Sequence, residues 1–151
     1  MPLEDDLIAK FQSDPATESA GRMREVFGER LPQVLFEIYQ TARNWRVRNA
    51  CVWYSTGFCR RNETAVDIGK AAIFDKSKFV RFRATELLAC SLRSDALPVL
   101  VKAKGESQSV EEVANFSAAI DAIERQNHTF FWDRTHTGKY TVNFEAPLLT
   151  Q

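Results

Sequence analysis

Two histidines and one aspartate near the C-terminus are the side chains whose types could support catalysis or metal binding. His128, Asp133 and His136 would form an acid–base pair or a metal site if both imidazoles and the carboxylate converged. Their spacing matches neither HxxxH nor HExxH, so a small metal-dependent enzyme remains only an alternative. We expect residues 133–138 to form a turn instead, in which side-chain to backbone hydrogen bonds and a positive φ at Gly138 fix the chain.

The three cysteines are a second potential source of reactivity. Cys59 lies beside Arg60 and Arg61, and neighbouring cations can lower a thiol pKa. A nucleophile also needs an oriented base, and the only histidines lie about 70 residues further along the chain. Cys51 and Cys90 fall on predicted buried helix faces. Together with the absence of a CxxC pair, this predicts reduced structural thiols in a cytoplasmic protein.

Motifs that hold cofactors or phosphates are missing from the sequence. It contains no glycine-rich phosphate loop, no nucleophile elbow and no paired-carboxylate motif, and it has only 6 glycines in 151 residues. We therefore predict no catalytic residues, no metal and no cofactor, and a function that is not enzymatic.

Charge is balanced in total but segregated along the chain. The formal net charge is zero, yet residues 43–83 carry a net charge of +7 between two acidic flanks, and residues 43–62 contain no acid. This basic face predicts a protein partner with an acidic surface, and nucleic acid is the less favoured alternative because the whole chain is neutral. The predicted binding residues are Arg43, Trp45, Arg46, Arg48, Arg60 and Arg61, with Trp132, Arg134 and His136 as secondary candidates.

Apolar residues recur with helical spacing through most of the chain and predict eight helices. Asn44, Asn62 and Ser109 precede three of these stripes and are expected to cap their helices. The pattern then changes, because residues 128–133 and 139–145 are rich in aromatic and β-branched types around a turn. This predicts a small C-terminal β-hairpin over about residues 128–145.

Two long helices share a pattern at a spacing of 34 residues, in which Ala50 aligns with Ala84. The second copy contains an acidic turn, Val-Arg, an alanine three positions after the arginine, and paired leucines. It resembles the HEAT-repeat family through Asp75, Val80, Arg81, Ala84, Leu87 and Leu88. In the first copy, Val47-Arg48 falls one residue out of register. The stretch Asn127–Gly138 also looks like the tail of small bacterial HEAT-like proteins, some of which are thought to be immunity or toxin-neutralising partners.

The resemblance implies an all-α chain, a short α-solenoid of HEAT-like helix pairs that ends in the hairpin. We expect one domain over residues 1–151, although a generic helical bundle stays open. Such a fold implies a protein–protein binding module of adaptor or immunity type. It also implies that Arg81 pairs with a neighbouring acid, Asp75 or Asp67. No apolar run is long enough to span a bilayer and the acidic N-terminus is not a secretory signal, so we predict no membrane partner.

Overall fold

The structure is a computed structural model and describes residues 2–144. That part of the chain is all-α, as predicted, and contains no strand. Short 3-10 turns follow several helices at Gly28–Arg30, Thr56–Phe58, Ser94–Ala96 and His128–Phe131. The α-helices are α1 Pro2–Ser13, α2 Thr17–Phe27, α3 Leu31–Thr41, α4 Trp45–Ser55, α5 Glu63–Ala72, α6 Lys78–Ser91, α7 Leu97–Glu106 and α8 Val110–Glu124.

The helix ends follow the capping residues in the sequence. The side-chain oxygens of Asn44, Asn62 and Ser109 each accept a hydrogen bond from a backbone N–H two or three residues on, which confirms these three caps. Gly28 ends α2 at a φ of 56°, a conformation that glycine adopts without strain. Leu92 ends α6 in the left-handed region at a φ of 55°.

The helices pack in consecutive pairs. α1 packs on α2, α3 on α4, α5 on α6, and α7 on α8. Between pairs, α4 packs on α6 and α6 packs on α8, and α3 also packs on α5. We call the row formed by α4, α6 and α8 the even row, and it supplies most residues of the candidate site.

A single cluster of buried side chains extends from Leu7 in α1 to Phe131 after α8. Gly69 permits the close approach of α5 to α6 within this core. A Cβ atom at that position would lie 2.8 Å from the Leu87 side chain and 3.0 Å from that of Leu88. Since both leucines are fully buried, little space exists for them to move away.

The starts of α4 and α6 are 33 residues apart, not 34 as the alanine alignment suggested. α4 begins at Trp45 and α6 begins at Lys78. This register superimposes Val47-Arg48 on Val80-Arg81 and removes the mismatch between the two copies. The alanine alignment gave the wrong register because small residues that face a neighbouring helix occur at adjacent positions of the sequence. The helix starts fix the register instead.

The predicted hairpin over residues 128–145 is wrong for residues 128–144, and Glu145 lies outside the described residues. Asn127 accepts a hydrogen bond from the backbone N–H of Thr129 and starts a 3-10 turn, not a strand. Phe131 is fully buried, with its ring centroid 5.8 Å from that of Phe82 on α6. The aromatic residues at these positions are therefore there because they are buried against helices. Strands are also rich in aromatic residues, so the sequence pattern alone did not distinguish the two.

Candidate functional site

A buried ion pair joins the second helix pair to the third. The guanidinium of Arg48 donates to both carboxylate oxygens of Asp75, from Nε at 2.8 Å and from Nη2 at 3.1 Å. Its Nη1 donates to the backbone carbonyls of Ala42 and Arg43. Arg48 is only 6% exposed, so this predicted binding residue is not on the surface and has a structural partner instead.

Arg81 repeats this arrangement one helix pair later. It donates from Nε and Nη2 to the two carboxylate oxygens of Glu112 at 2.6 and 3.1 Å, and from Nη1 to the carbonyl of Asp75. Each arginine thus contacts the carbonyl six residues before it and a carboxylate of the following pair. Arg81 pairs with an acid, as predicted, but that acid is Glu112 in α8 and neither Asp75 nor Asp67 supplies its carboxylate.

One exposed part of the basic region at residues 43–83 lies where α4 and α6 begin. The Trp45 and Phe79 rings stack at a centroid distance of 4.9 Å and an interplanar angle of 24°. The Arg46 guanidinium lies 4.7 Å from the Trp45 ring, and the Lys78 ammonium lies 5.5 Å from the Phe79 ring. We call these four residues the cation–aromatic stack, in which two cations flank two stacked rings.

The cations of this region lack acidic partners within residues 2–144. None of the ion pairs formed there includes Arg43, Arg46 or Lys78. Arg43 and Arg46 are exposed, and Phe79 exposes 53% of its surface. An anionic ligand could therefore approach these charges without displacing an internal carboxylate.

A groove of about 450 Å³ runs from the cation–aromatic stack across α6 to α8. Arg83 lies on its wall, with its guanidinium 4.4 Å from the Trp53 ring and 3.1 Å from the Glu86 carboxylate. The Trp53 ring is partly buried under this guanidinium and packs against the core. The groove is lined by Trp45, Asn49, Lys78, Phe79, Phe82, Arg83, Ser109, Glu111, Glu112 and Asn115.

Arg60 and Arg61 lie beyond the opposite end of α4 and have internal partners. Arg60 donates to the carbonyl of Cys90 at 2.8 Å and to Nδ1 of His128 at 2.9 Å. Arg61 pairs with Glu29 at 2.9 Å, with both side chains more than half exposed. The structure therefore does not bring the six predicted residues onto one face, because Arg43, Trp45 and Arg46 lie around the start of α4. Arg60 and Arg61 are also exposed, but they lie beyond the end of that helix.

The secondary candidates occupy the segment after α8. Trp132 is 36% exposed, whereas Phe131 beside it is buried. Arg134 donates to the side-chain oxygen of Asn115 at 2.9 Å, so it reaches the far end of the groove. His136 lies apart from that groove, with Nε2 2.6 Å from the Asp121 carboxylate and its ring stacked on Phe130.

His128, Asp133 and His136 do not converge. Asp133 accepts hydrogen bonds from the backbone and hydroxyl of Thr137 and from the backbone of Gly138, whose φ is 73°. This confirms the turn that the sequence predicted at residues 133–138. Within residues 2–144, no three acidic, histidine or cysteine side chains are grouped so that they could hold a metal ion.

The three cysteines are free and buried. Burial raises the pKa of Cys59 to about 12, and this outweighs the lowering by Arg60 and Arg61. Burial likewise raises the pKa of Cys51 and of Cys90 far above the ordinary range. Since the thiolate is the nucleophile, none of the three thiols is poised for covalent chemistry at neutral pH.

Sequence reasoning missed Lys78, Phe79 and Arg83 as site residues. At the 33-residue register, Trp45-Arg46 falls on Lys78-Phe79, so both helices begin with one aromatic residue and one cation.

Comparison with family models, with curated proteins and with solved structures returned no match for this chain. A search of the helices within residues 2–144 for a membrane-spanning candidate found none of sufficient length and apolar character.

Proposed function

We propose that this chain is a non-enzymatic binding module that holds a protein partner through the groove of the even row. The observation that carries the proposal is the cation–aromatic stack at the mouth of that groove. Arginine beside tryptophan is the composition found at the energetic centres of protein interfaces. The rings are already stacked and the cations already lie against them, so binding would order few side chains.

The chemistry of the partner follows from the charges that remain unpaired. Within the described residues, Arg43, Arg46 and Lys78 have no acidic partners, whereas Glu112 and Glu86 pair with arginines of α6. Glu111 lines the α8 side of the groove and joins none of the ion pairs formed there. The unpaired charge is therefore positive at the cation–aromatic stack and negative at the α8 side of the groove. A partner that presents aspartate or glutamate side chains next to an apolar residue would satisfy both the cations and the rings.

The repeating contacts support a HEAT-like α-solenoid as the architecture behind this function. Two successive helix pairs use the same Val-Arg motif, the same carbonyl contact and the same pairing with a following carboxylate. Such arrays expose one row of helices to a partner. A cytoplasmic adaptor or an immunity-type protein would both use the face in this way, and in the second case the partner would be a toxin.

The proposal assigns no catalytic role to His128, Asp133 or His136. Each is held by different neighbours, so a small metal-dependent enzyme would require all three to leave their present contacts.

The test compares capture of a partner by charge-reversed variants of the stack. We expect Arg46→Glu and Lys78→Glu each to reduce retention of the wild-type partner at least about tenfold, because each places like charge against an acidic surface. Arg125→Glu, directly after α8, is the matched control, since the Arg125 side chain is 60% exposed and lies outside the groove. Capture is done after nuclease treatment. Equal retention by all three variants would refute the proposed surface.

A nucleic-acid ligand is the second candidate, favoured by one observation. Phe79 is exposed between cations, and an aromatic ring beside positive charge is what single-stranded nucleic acids stack on. This candidate predicts binding of a labelled oligouridine or oligothymidine that weakens steeply as salt rises and is lost in Phe79→Ala. Absence of oligonucleotide binding at low salt would eliminate it.

A further inference from the structure

The groove of the even row adjoins a second hollow on the other side of α4. That hollow has a volume of about 340 Å³ and reaches the connection between α1 and α2, where Asp14 and Ala16 line it. Asn49 and Arg83 line both the hollow and the groove that extends to α8, so the two depressions meet at these side chains. A polypeptide that crosses the groove can therefore continue past α4 into the hollow.

Asn49 places an amide without a partner at this meeting point. Its side chain is partly buried, yet it makes no hydrogen bond within residues 2–144. On the α8 side of the groove, the Asn115 oxygen accepts from Arg134, and its Nδ2 has no acceptor in the same residues. An extended backbone has N–H and C=O groups for such amides, whereas those of a docked helix are already used within the helix.

The charges beside the groove have opposite signs at its two sides. Arg46 and Lys78 of the cation–aromatic stack are exposed, and so is Glu111, the second residue of α8. None of the three joins an ion pair within the described residues. A uniformly anionic polymer would set like charge against Glu111, so complementarity favours a ligand with an acidic and a basic group.

Helix packing sets the distance between these two charged sites. Packed helices lie about 8–10 Å apart, and the stack bridges α4 and α6, so it lies one and a half such spacings, about 12–15 Å, from α8. An extended chain advances about 3.3 Å per residue and returns its side chains to the same face at every second residue. Two residues four positions apart therefore point to the same face at a separation of about 13 Å.

We propose that the occupant of the groove is an extended segment of a partner protein, which places an acidic residue on the cation–aromatic stack and, four positions away, a basic residue on Glu111. The residue midway between them would be apolar and would pack on the partly buried ring of Phe82. The backbone of the segment would bind the Asn49 amide. This inference rests on the proposed function and names the class of partner.

The experiment measures binding of capped synthetic peptides to the full chain by calorimetry. The probes contain Glu-Thr-Leu-Thr-Lys or the reverse sequence, since an amide can pair with a backbone of either direction. The matched peptides carry Glu at both ends or Lys at both ends. We expect the better mixed-charge peptide to bind at least about fivefold more tightly than either like-charged one. Equal affinities, or no binding up to about 1 mM peptide, would overturn the proposal.

A charge reversal connects this preference to Glu111. In Glu111→Lys, we expect the peptide with two Glu residues to bind at least about fivefold more tightly than the mixed one, because the basic end now meets a like charge. Glu124→Lys is the matched control, since Glu124 is exposed at the end of α8 and outside the groove. It changes the net charge equally and should keep the wild-type preference. The opposite result in either variant would overturn the proposal.

Asn49→Leu tests the contact with the backbone. Leucine has nearly the shape of asparagine but no hydrogen-bonding group, so every peptide should bind about fivefold more weakly while the charge preference stays. Unchanged affinity would refute the backbone contact. If no peptide binds while capture of a protein still depends on Arg46, the extended segment fails and the proposed function stands. An oligothymidine that binds more tightly than every peptide would overturn the segment in favour of nucleic acid.

Discussion

Arg48 and Arg81 occupy the same position in successive helix pairs. Each binds a carboxylate and a backbone carbonyl, but the two ion pairs differ in burial. The Arg48 and Asp75 side chains are 7% and 4% exposed, whereas those of Arg81 and Glu112 are 26% and 21% exposed. Both pairs are bidentate, and both arginines also donate to a carbonyl six residues earlier. The Arg48–Asp75 pair is enclosed in the protein, whereas Glu112 of the second pair lines the groove.

The difference shows that the same motif does not contribute the same free energy of unfolding at both positions. Burial by itself would raise the pKa of Asp75, but hydrogen bonds from Arg48, from the Ser77 backbone and from the Tyr39 hydroxyl hold that pKa below its usual value. The hydrogen-bond donors around Asp75 therefore compensate the cost of burying its charge in the interior. Glu112 keeps partial access to water, so its charge depends less on a single partner.

The largest effect is expected from Arg48→Met, which removes the guanidinium but keeps a long side chain. It would leave the Asp75 carboxylate buried without its main partner. Breaking a buried pair in this way costs about 3–5 kcal/mol. The free energy of unfolding from urea denaturation would measure the loss.

A double variant provides the control for Arg48→Met. Adding Asp75→Asn removes the stranded charge, so part of the stability should return and the two changes should not be additive. Additive losses would mean that Arg48 acts through packing or through its bonds to the Ala42 and Arg43 carbonyls, and not through Asp75.

Arg81→Met is expected to cost less, about 1–2 kcal/mol, because the Glu112 carboxylate can be hydrated once it is unpaired. The contribution of this pair should also weaken at high salt, while that of the enclosed pair should not. Unfolding measured at low and high salt tests both statements, with Arg125→Met as an exposed control whose loss should stay below about 0.5 kcal/mol. Equal losses at Arg48 and Arg81 would mean that burial does not set the energy of these pairs.

Most of the fold could be predicted because helical periodicity and capping are local signals. The stripes and the caps at Asn44, Asn62 and Ser109 placed the helices, and Val80-Arg81 indicated an arginine that pairs across the repeat. The segment after α8 failed because His128–Asp133 has the composition of a strand. Its conformation is decided by Phe131, which packs against α6, an element more than 40 residues earlier in the sequence.

The site was less predictable because clustering in sequence is not clustering in space. Residues 43–61 read as one basic stripe, but α4 separates Arg43 and Arg46 from Arg60 and Arg61 by its full length, about 16 Å. Arg48 points inward, as its alignment with Arg81 would have indicated at the correct register. The stack depends on a contact between Trp45 and Phe79, which no local pattern in either helix reveals.

The smallest effect is expected at Tyr39, a hydrogen-bond donor that the Arg48–Asp75 pair has and the Arg81–Glu112 pair lacks. The Tyr39 hydroxyl donates to the Asp75 carboxylate at 2.8 Å, and burial together with this hydrogen bond raises the pKa of Tyr39, so the phenol stays protonated. We expect Tyr39→Phe to cost about 1 kcal/mol, the worth of one hydrogen bond to a charged group that keeps its other donors. Tyr140→Phe is the control, since Tyr140 is 59% exposed and its change should be close to neutral.

The effects of Arg48→Met and Tyr39→Phe, which each remove a donor to Asp75, should also be non-additive. With Arg48 replaced by Met, the Tyr39 hydroxyl becomes the main remaining side-chain donor to the carboxylate, so Tyr39→Phe should cost more in that background than in the wild type. An unchanged cost would show that the Tyr39 hydroxyl does not stabilise the protein through the Asp75 carboxylate. An enlarged cost would assign the difference between the two arginine pairs to the supply of donors around a buried carboxylate.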